Sequence, residues 1–205
     1  MGLIPEGWKI VRAEDLCQIN IGKTPPRKET EWFSSKKEGA IWVSISDMAD
    51  CGVFIDSSSE TLTYDALHRF NITTVPIGSV LLSFKLTIGR VAIARKELTT
   101  NEAIARFITN NTALTEYLYL ALKNYDYSKL GSTSSIAIAV NSKIIKAMPV
   151  ICPKDKVISD FSRLVHSIFE EIKKRQIENR ILKEIRDAAL PRIISGAKES
   201  VDLNY

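Results

Sequence analysis

The amino-acid sequence predicts an α+β fold, in which a globular domain with a curled, mostly antiparallel sheet is followed by a long coiled-coil helix. Short apolar stretches bounded by Gly or Pro recur through the first three quarters of the chain, which is typical of strands. Residues 154–187 contain neither Pro nor Gly, and their apolar side chains recur in steps of three and four, which is typical of an amphipathic helix. We therefore expect a globular domain at residues 1–153 and a helical spacer and dimerisation region at residues 154–205.

Local composition assigns the elements of the globular domain in order. Strands are predicted at residues 8–11, 41–45, 52–55, 79–84, 91–94, 104–108 and 148–152. Helical segments are predicted at residues 13–19, at residues 115–125 with Thr115 as the N-cap, and after a cap at Asn141. Residues 22–28 must form a loop, because the paired prolines Pro25 and Pro26 continue neither a helix nor a strand ladder. Further turns are expected at residues 75–78 and 131–135.

The helical region carries a narrow apolar seam. Its length of about 34 residues corresponds to a rod of about 50 Å. Such a seam usually packs against another helix, so we expect homodimerisation through this region. We expect the helix to begin with Asp155 as its cap and to end before Pro191, with Gly196 closing a short final turn. The predicted dimerisation residues are Ile158, Phe161, Val165, Ile168, Ile172, Leu182 and Ile185.

Composition excludes several classes of protein. No apolar run approaches 18 residues, and the N-terminus lacks a basic stretch followed by an apolar one, so we expect a cytoplasmic protein without a membrane span. Cys17, Cys51 and Cys152 are far apart, which favours free thiols over a disulfide framework or a zinc site. There are 17 basic and 15 acidic residues through Pro153, so a DNA-binding surface would have to come from local arrangement of the charges.

The motifs of common enzyme sites are incomplete. Gly22-Lys23-Thr24 resembles part of a phosphate-binding loop, but Cys17 stands where the motif needs its first glycine. The sequence has no G-x-G-x-x-G segment, and neither His68 nor His166 belongs to a recognisable catalytic set. We therefore predict no catalytic, cofactor-binding or metal-binding residue.

A series of short motifs is spread along nearly the whole chain. They are residues 3–8 (LIPEGW), 22–25 (GKTP), 41–48 (IWVSISDM), 78–84 (GSVLLSF), 87–93 (TIGRVAI), 100–105 (TNEAIA), 185–187 (IRD), 190–191 (LP) and 194–196 (ISG). The order of these motifs resembles the specificity subunits of type I restriction–modification systems. Where the family commonly has Asn-Gln, this chain has Asn101-Glu102. Typical members contain two target-recognition domains and two helical regions, so this chain is similar to a half-length subunit.

The resemblance implies a function. Each recognition domain would read half of a bipartite sequence in double-stranded DNA, and the helices would set the gap between the halves. Modification subunits would bind the helices and methylate adenine, and a restriction subunit would cleave DNA. A half-length subunit could restore the paired helices by homodimerising.

Three loops carry side chains suited to DNA contact, because Arg, Lys, Ser and Thr bind phosphates and Arg and Lys also read guanine. The first loop contains Lys23, Thr24, Arg27, Lys28, Lys36 and Lys37; the second contains Lys85, Thr87 and Arg90; the third contains Ser132, Thr133 and Ser134. We expect Trp42, on an alternating strand, to lie in the core.

Two other classes of function stay open at this point. An anti-restriction or regulatory protein would bind a modification subunit through the helix without reading DNA. An enzyme with unrecognised catalysis is the third class. A DNA footprint separates the first two classes, and inertness of the pure chain would exclude the third.

Overall fold

The computed structural model of the protein describes residues 4–34, 38–130 and 140–199. Two compact units can be distinguished, Met1–His166 and Ser167–Tyr205. The domain boundary expected between residues 153 and 154 stays a prediction.

The described residues form an α+β structure, as the sequence predicts. Their strands are β1 (Lys9–Arg12), β2 (Gln18–Ile21), β3 (Phe33–Ser34), β4 (Ala40–Val43), β5 (Phe54–Ile55), β6 (Glu60–Leu62), β7 (Val80–Ser83), β8 (Val91–Ala94), β9 (Thr99–Thr100), β10 (Ile104–Ile108) and β11 (Pro149–Cys152). The α-helices are α1 (Ala13–Leu16), α2 (Tyr64–Arg69), α3 (Leu114–Lys123), α4 (Ser142–Ala147) and α5 (Asp155–Glu199).

The strands form three sheets in the described part of the chain, where a single curled sheet was expected. The largest has the order β2-β10-β7-β8-β5, a second has the order β3-β6-β4-β9, and β1 pairs with β11. Pairing is mostly antiparallel, as predicted, with β4/β9 and β5/β8 as the parallel pairs. Strands of two to five residues give each sheet little length, so side chains between the sheets supply the core.

Apolar side chains cover the largest sheet and join it to the second one. One core cluster contains Val43, Leu81, Ala92 and Ile104, all fully buried. A second cluster is centred on Trp42 and Leu62. The prediction that Trp42 belongs to the core is confirmed, since only 1% of its surface is exposed.

Several element boundaries differ from the predictions. Gln18 and Ile19 belong to β2, because they pair with β10, and do not continue α1. The N-cap of α3 is Ala113, so Thr115 lies inside the helix and is not its cap. The Thr115 hydroxyl donates to the carbonyl of Gly78 at 3.4 Å. The cap at Asn141 is confirmed, since its side-chain oxygen accepts from the Ile144 N–H at 3.1 Å.

Helix α5 is longer than expected. It begins at Asp155, and the carbonyl of Lys154 accepts from the Val157 N–H at 2.8 Å, so Lys154 occupies the cap position. Asp155 lies in the first turn, where its charge complements the helix dipole. The expected end before Pro191 is wrong, because the helix continues through Pro191 and Gly196 to Glu199. Proline removes one backbone hydrogen bond and bends a helix, but it does not have to end it.

Candidate nucleic-acid interface

One end of the largest sheet brings the first and second loops together. Strand β10 lies between β2 and β7, with Ala105 opposite Ile21 and Ile104 opposite Ser83. Strands β2 and β7 both end there, because both run antiparallel to β10. The chain then leaves β2 into residues 22–28 and leaves β7 into residues 84–90. The two loops therefore start on either side of the first residue of β10.

Two further segments reach the same end of the sheet. The Asn101 N–H donates to the carbonyl of Val43 at 2.9 Å, which brings residues 101–103 to the end of β4. The guanidinium of Arg90 donates to the carbonyl of Ile45 at 2.6 Å, which joins the second loop to residues 44–47. We call the surface formed by residues 22–28, 44–47, 84–90 and 101–103 the loop face.

The first loop is fastened through backbone groups. A Cβ atom added to Gly22 would lie within 2.3 Å of the backbone oxygens of Thr100 and Asn101, so only glycine fits this approach. The Lys23 N–H donates to the carbonyl of Thr100 at 3.0 Å. The carbonyl of Lys23 accepts from the Trp42 indole N–H at 3.1 Å. The position of the loop thus depends on the core beneath it.

Most of the polar side chains in the first loop already have partners. The Lys23 ammonium donates to the carbonyl of Asn71 at 2.9 Å, just beyond the end of α2, and the hydroxyl of Thr24 donates to Glu102. The Arg27 guanidinium pairs with Glu60 at 2.8 Å. It also lies over the rings of Phe33 and Trp42, at 4.3 Å and 4.6 Å from their centroids.

Lys28 differs from its neighbours in the first loop. It is exposed and makes no hydrogen bond or ion pair with the part of the chain that the structure describes. Its charge is therefore available to a phosphate. Glu102, the position where the sequence departs from the family pattern, holds Thr24 in place.

Ser83 organises the second loop. Its side chain is fully buried at the end of β7, and its hydroxyl donates to the carbonyl of Thr87 at 2.6 Å. The same oxygen accepts from the Arg90 N–H at 3.0 Å. The carbonyl of Ser83 accepts from the Gly89 N–H, also at 3.0 Å. One buried serine therefore joins both sides of the loop.

The second loop also lies close to the ring of Tyr127. Gly89 has a φ of +91°, and a Cβ atom there would lie 3.2 Å from the ring of Tyr127. Burial raises the pKa of Tyr127, whose hydroxyl donates to the carbonyl of Leu122 at 2.6 Å. Lys85 is exposed, with its ammonium 5.7 Å from the centroid of the Phe84 ring. Lys85 is therefore the second cation of the loop face that is free to bind a phosphate.

A buried arginine supports the first loop from below, and sequence patterns do not reveal it. Arg106, on β10, is 3% exposed. Its guanidinium donates to the carbonyl of Thr73 at 2.7 Å and to the carbonyl of Ile21 at 3.0 Å. Burial lowers its pKa. These bonds tie the end of β2 to the segment that follows α2.

Five of the predicted DNA-contact residues cannot be placed. The predictions for Lys36, Lys37, Ser132, Thr133 and Ser134 lie outside the described residues.

Helix α5 carries the predicted dimerisation residues in two different environments. Ile158 is 3% exposed, and Phe161 packs edge-on against Tyr117 with ring centroids 6.4 Å apart, so both contact their own domain. Val165 and Ile172 are partly buried. Ile168, Leu182 and Ile185 are 55–58% exposed. The apolar residues Leu190, Ile193 and Ile194 are also exposed and extend this seam toward the end of the helix.

Several features of the described residues lie outside the loop face. No group of three or more His, Cys, Asp or Glu side chains among them could hold a metal ion. An apolar cavity of about 640 Å³ lies in the Met1–His166 unit, but none of its lining residues belongs to the loop face. His166 pairs with the buried carboxylate of Glu116, its Nδ1 atom 2.9 Å from Oε1. Across the described ranges, no helix is both long and apolar enough to cross a membrane.

The sequence is similar to those of known proteins. Residues 5–185 match the family model of the type I restriction modification DNA specificity domain. The chain is 31% identical over 197 residues to the type I restriction enzyme HindI specificity subunit of Haemophilus influenzae, covering 94% of this chain and 42% of that protein. It is 26% identical over 190 residues to the type I restriction enzyme MjaIX specificity subunit of Methanocaldococcus jannaschii, and the match covers 90% of this chain and 43% of that protein.

The fold is also similar to a solved structure. The S subunit of a type I restriction–modification system from M. genitalium superposes with a TM-score of 0.60 at 11% identity, covering 92% of this chain and 46% of that one. The chain thus spans less than half the length of each of these relatives.

Proposed function

The chain belongs to the family of the type I restriction modification DNA specificity domain, and we propose that it selects the DNA sequence on which separate modification subunits act. In this proposal the chain itself is not catalytic. The loop face reads bases and contacts phosphates in double-stranded DNA, and helix α5 joins two copies and sets the distance between them.

The main support for the proposal is that the first and second loops lie together at one end of the largest sheet. The loops start on the two neighbours of β10, two strand spacings apart, which is about 10 Å. The major groove of B-DNA is about 12 Å wide and displays the base edges. The spacing of the loops therefore suits entry into one groove.

The basic side chains of the loop face are suited to contacts with DNA phosphates. Such contacts fix the position of the protein along the DNA. Lys28 and Lys85 project from different loops and can each bind a phosphate. The excess of 17 basic over 15 acidic residues through Pro153 is small. A single copy should therefore bind DNA weakly, and most of the affinity should come from the assembled complex.

The exposed seam of α5 supports pairing with a second copy. Burying side chains such as Ile168 and Leu182, each more than half exposed, removes apolar surface from water. A two-fold dimer would present two identical loop faces, so its target should consist of two inverted copies of one half-site. The length of the paired helices would fix the gap between the half-sites.

The partners in this proposal are DNA, methyltransferase subunits that bind the helices, and a restriction subunit. The chain would act in the cytoplasm, where the cell's DNA is accessible to this complex.

Selection from a random-sequence library of duplexes tests the proposal. The full chain would be used with and without a type I modification subunit. We expect an enriched bipartite consensus whose halves are inverted repeats, with stronger enrichment when the modification subunit is present. A chain that binds the modification subunit but enriches no consensus would contradict the proposal and favour a regulatory protein.

A further inference from the structure

The tip of the second loop displays one apolar side chain. Leu86 is 99% exposed, more than any other large apolar residue that the structure describes. It lies between Lys85 and Thr87, both of which are exposed. A single exposed leucine is common on protein surfaces, so exposure alone indicates nothing. The backbone beneath this leucine makes it unusual.

Leu86 has an unfavourable backbone conformation. Its φ is +59°, in the left-handed region that glycine adopts freely and that bulky side chains rarely adopt. The Thr87 N–H donates to the carbonyl of Lys85 at 2.7 Å, which closes a three-residue turn centred on Leu86. Turns of this kind with a positive φ at the centre are strained. Glycine would adopt this backbone conformation without strain, so leucine occupies this position at a cost to stability.

The loop fixes the backbone on both sides of this residue. Ser83 joins the two sides of the loop through its hydrogen bonds to Thr87 and Arg90. Arg90 is in turn bonded to the carbonyl of Ile45. A backbone held on both sides fixes the position from which the Leu86 side chain extends, and this lowers the entropy lost when the loop binds a partner.

The surroundings of Leu86 indicate the kind of partner. The loop face carries the free cations Lys28 and Lys85, which suit a phosphate backbone rather than an apolar protein surface. Within the major groove, the C5-methyl group of thymine is the apolar feature that a base edge displays. An apolar side chain at the tip of a loop that enters this groove has that methyl group as its natural contact.

We propose that Leu86 is a specificity-determining residue, which reads a thymine in each half-site through its C5-methyl group. The inference rests on the proposed function, because it needs the loop face to lie on DNA. It goes beyond that function by naming the residue, the base and the chemical group.

Replacing thymine with deoxyuridine tests the inference, because it removes only the methyl group. The duplex selected by the wild-type chain with its modification subunit would be prepared with each thymine replaced in turn. We expect one position in each half-site at which deoxyuridine weakens wild-type binding about fourfold, the effect of losing one buried methyl group. Leu86→Ala should bind the thymine duplex about as weakly as the wild-type chain binds the deoxyuridine duplex. The affinity of this variant should not fall further when deoxyuridine replaces thymine.

Ile77→Ala is the matched control. Ile77 is also an exposed apolar residue, 69% exposed, but it precedes β7, at the opposite end of that strand from Ser83. This variant should keep the wild-type preference for thymine. Leu86→Gly should lose the preference like Leu86→Ala while unfolding at an equal or higher urea concentration, because glycine relieves the strain.

The outcomes separate this inference from the function on which it rests. A wild-type consensus that contains no methyl-sensitive thymine, or a Leu86→Ala variant that keeps the wild-type sensitivity to deoxyuridine, overturns the role of Leu86 and leaves the proposed function intact. Failure of the wild-type chain to select any consensus overturns the proposed function and the inference together.

Discussion

Ser83→Ala should destabilise the protein and also disturb DNA reading, because one buried hydroxyl makes two hydrogen bonds that shape the second loop. The substitution removes the acceptor of the Arg90 N–H and the donor to the carbonyl of Thr87. A hydrogen bond contributes about 1 kcal/mol to stability, so the expected loss is about 2 kcal/mol. At a denaturant dependence of about 2 kcal/mol per molar urea, the unfolding midpoint should fall by about 1 M.

Ser79→Ala is the control for stability. Ser79 lies just before β7, is 2% exposed, and its hydroxyl makes one hydrogen bond, to the carbonyl of Pro76 at 2.7 Å. This bond lies at the other end of the strand from the loop face. The expected loss is about 1 kcal/mol, with a fall of about 0.5 M in the urea midpoint.

DNA binding then distinguishes the two serines. Releasing even one backbone residue of the second loop adds about 1–2 kcal/mol of ordering cost on binding, so Ser83→Ala should lose about tenfold in affinity for its selected site. Ser79→Ala should bind that site like wild type. Equal affinities of the two variants, measured well below both unfolding midpoints, would refute the view that Ser83 positions a DNA-reading loop.

Two further predictions concern the helix and the charges. Ile168→Asp places a charge in the proposed seam and should convert a dimer into a monomer in sedimentation equilibrium. Ser159→Asp, about 180° around the helix from Ile168 and exposed, should leave the dimer intact. A wild-type monomer at tens of micromolar would contradict homodimerisation. Replacing Lys28 and Lys85 with Gln should weaken binding to all DNA sequences and reduce the slope of log affinity against log salt concentration by about one unit per lost phosphate contact. Lys96 follows β8 at the end of that strand away from the loop face, so Lys96→Gln should leave the slope unchanged. An unchanged slope in the double variant would mean that these loops do not face DNA.

Local sequence was sufficient for features that depend on neighbouring residues. Paired prolines at Pro25 and Pro26 predict the first loop, and spacing in threes and fours predicts the long helix, both of which the structure contains. The end of that helix could not be predicted from Pro191, because a proline can bend a helix that continues beyond it. Strands of two or three residues, such as β3 and β9, were missed because they carry too few residues for an alternating pattern.

The arrangement of the loops depends on contacts between residues that are distant in the sequence. Lys23 suggested a DNA contact by its charge, yet its ammonium bonds the carbonyl of Asn71, which no local pattern reveals. A direct contact of Lys23 with DNA stays a proposal. Ser83 and Arg106 looked like ordinary strand residues, and only the sheet shows that they hold the two loops. Leu86 carries no polar group, so a pattern of basic and hydroxyl side chains does not reveal it.

In the proposed function, residues before Pro153 choose the bases and α5 sets the distance between the two half-sites. Insertion of seven residues after Arg175 keeps the seam in register and lengthens the helix by about 10 Å, since each residue adds about 1.5 Å. At about 3.4 Å per base pair, the gap between half-sites should grow by about three base pairs. Mapping of methylated sites, with the modification subunit present, should therefore show the same half-sites at the larger separation. Changed bases within the half-sites, with the original gap retained, would show that base choice and spacing do not reside in these two parts of the chain.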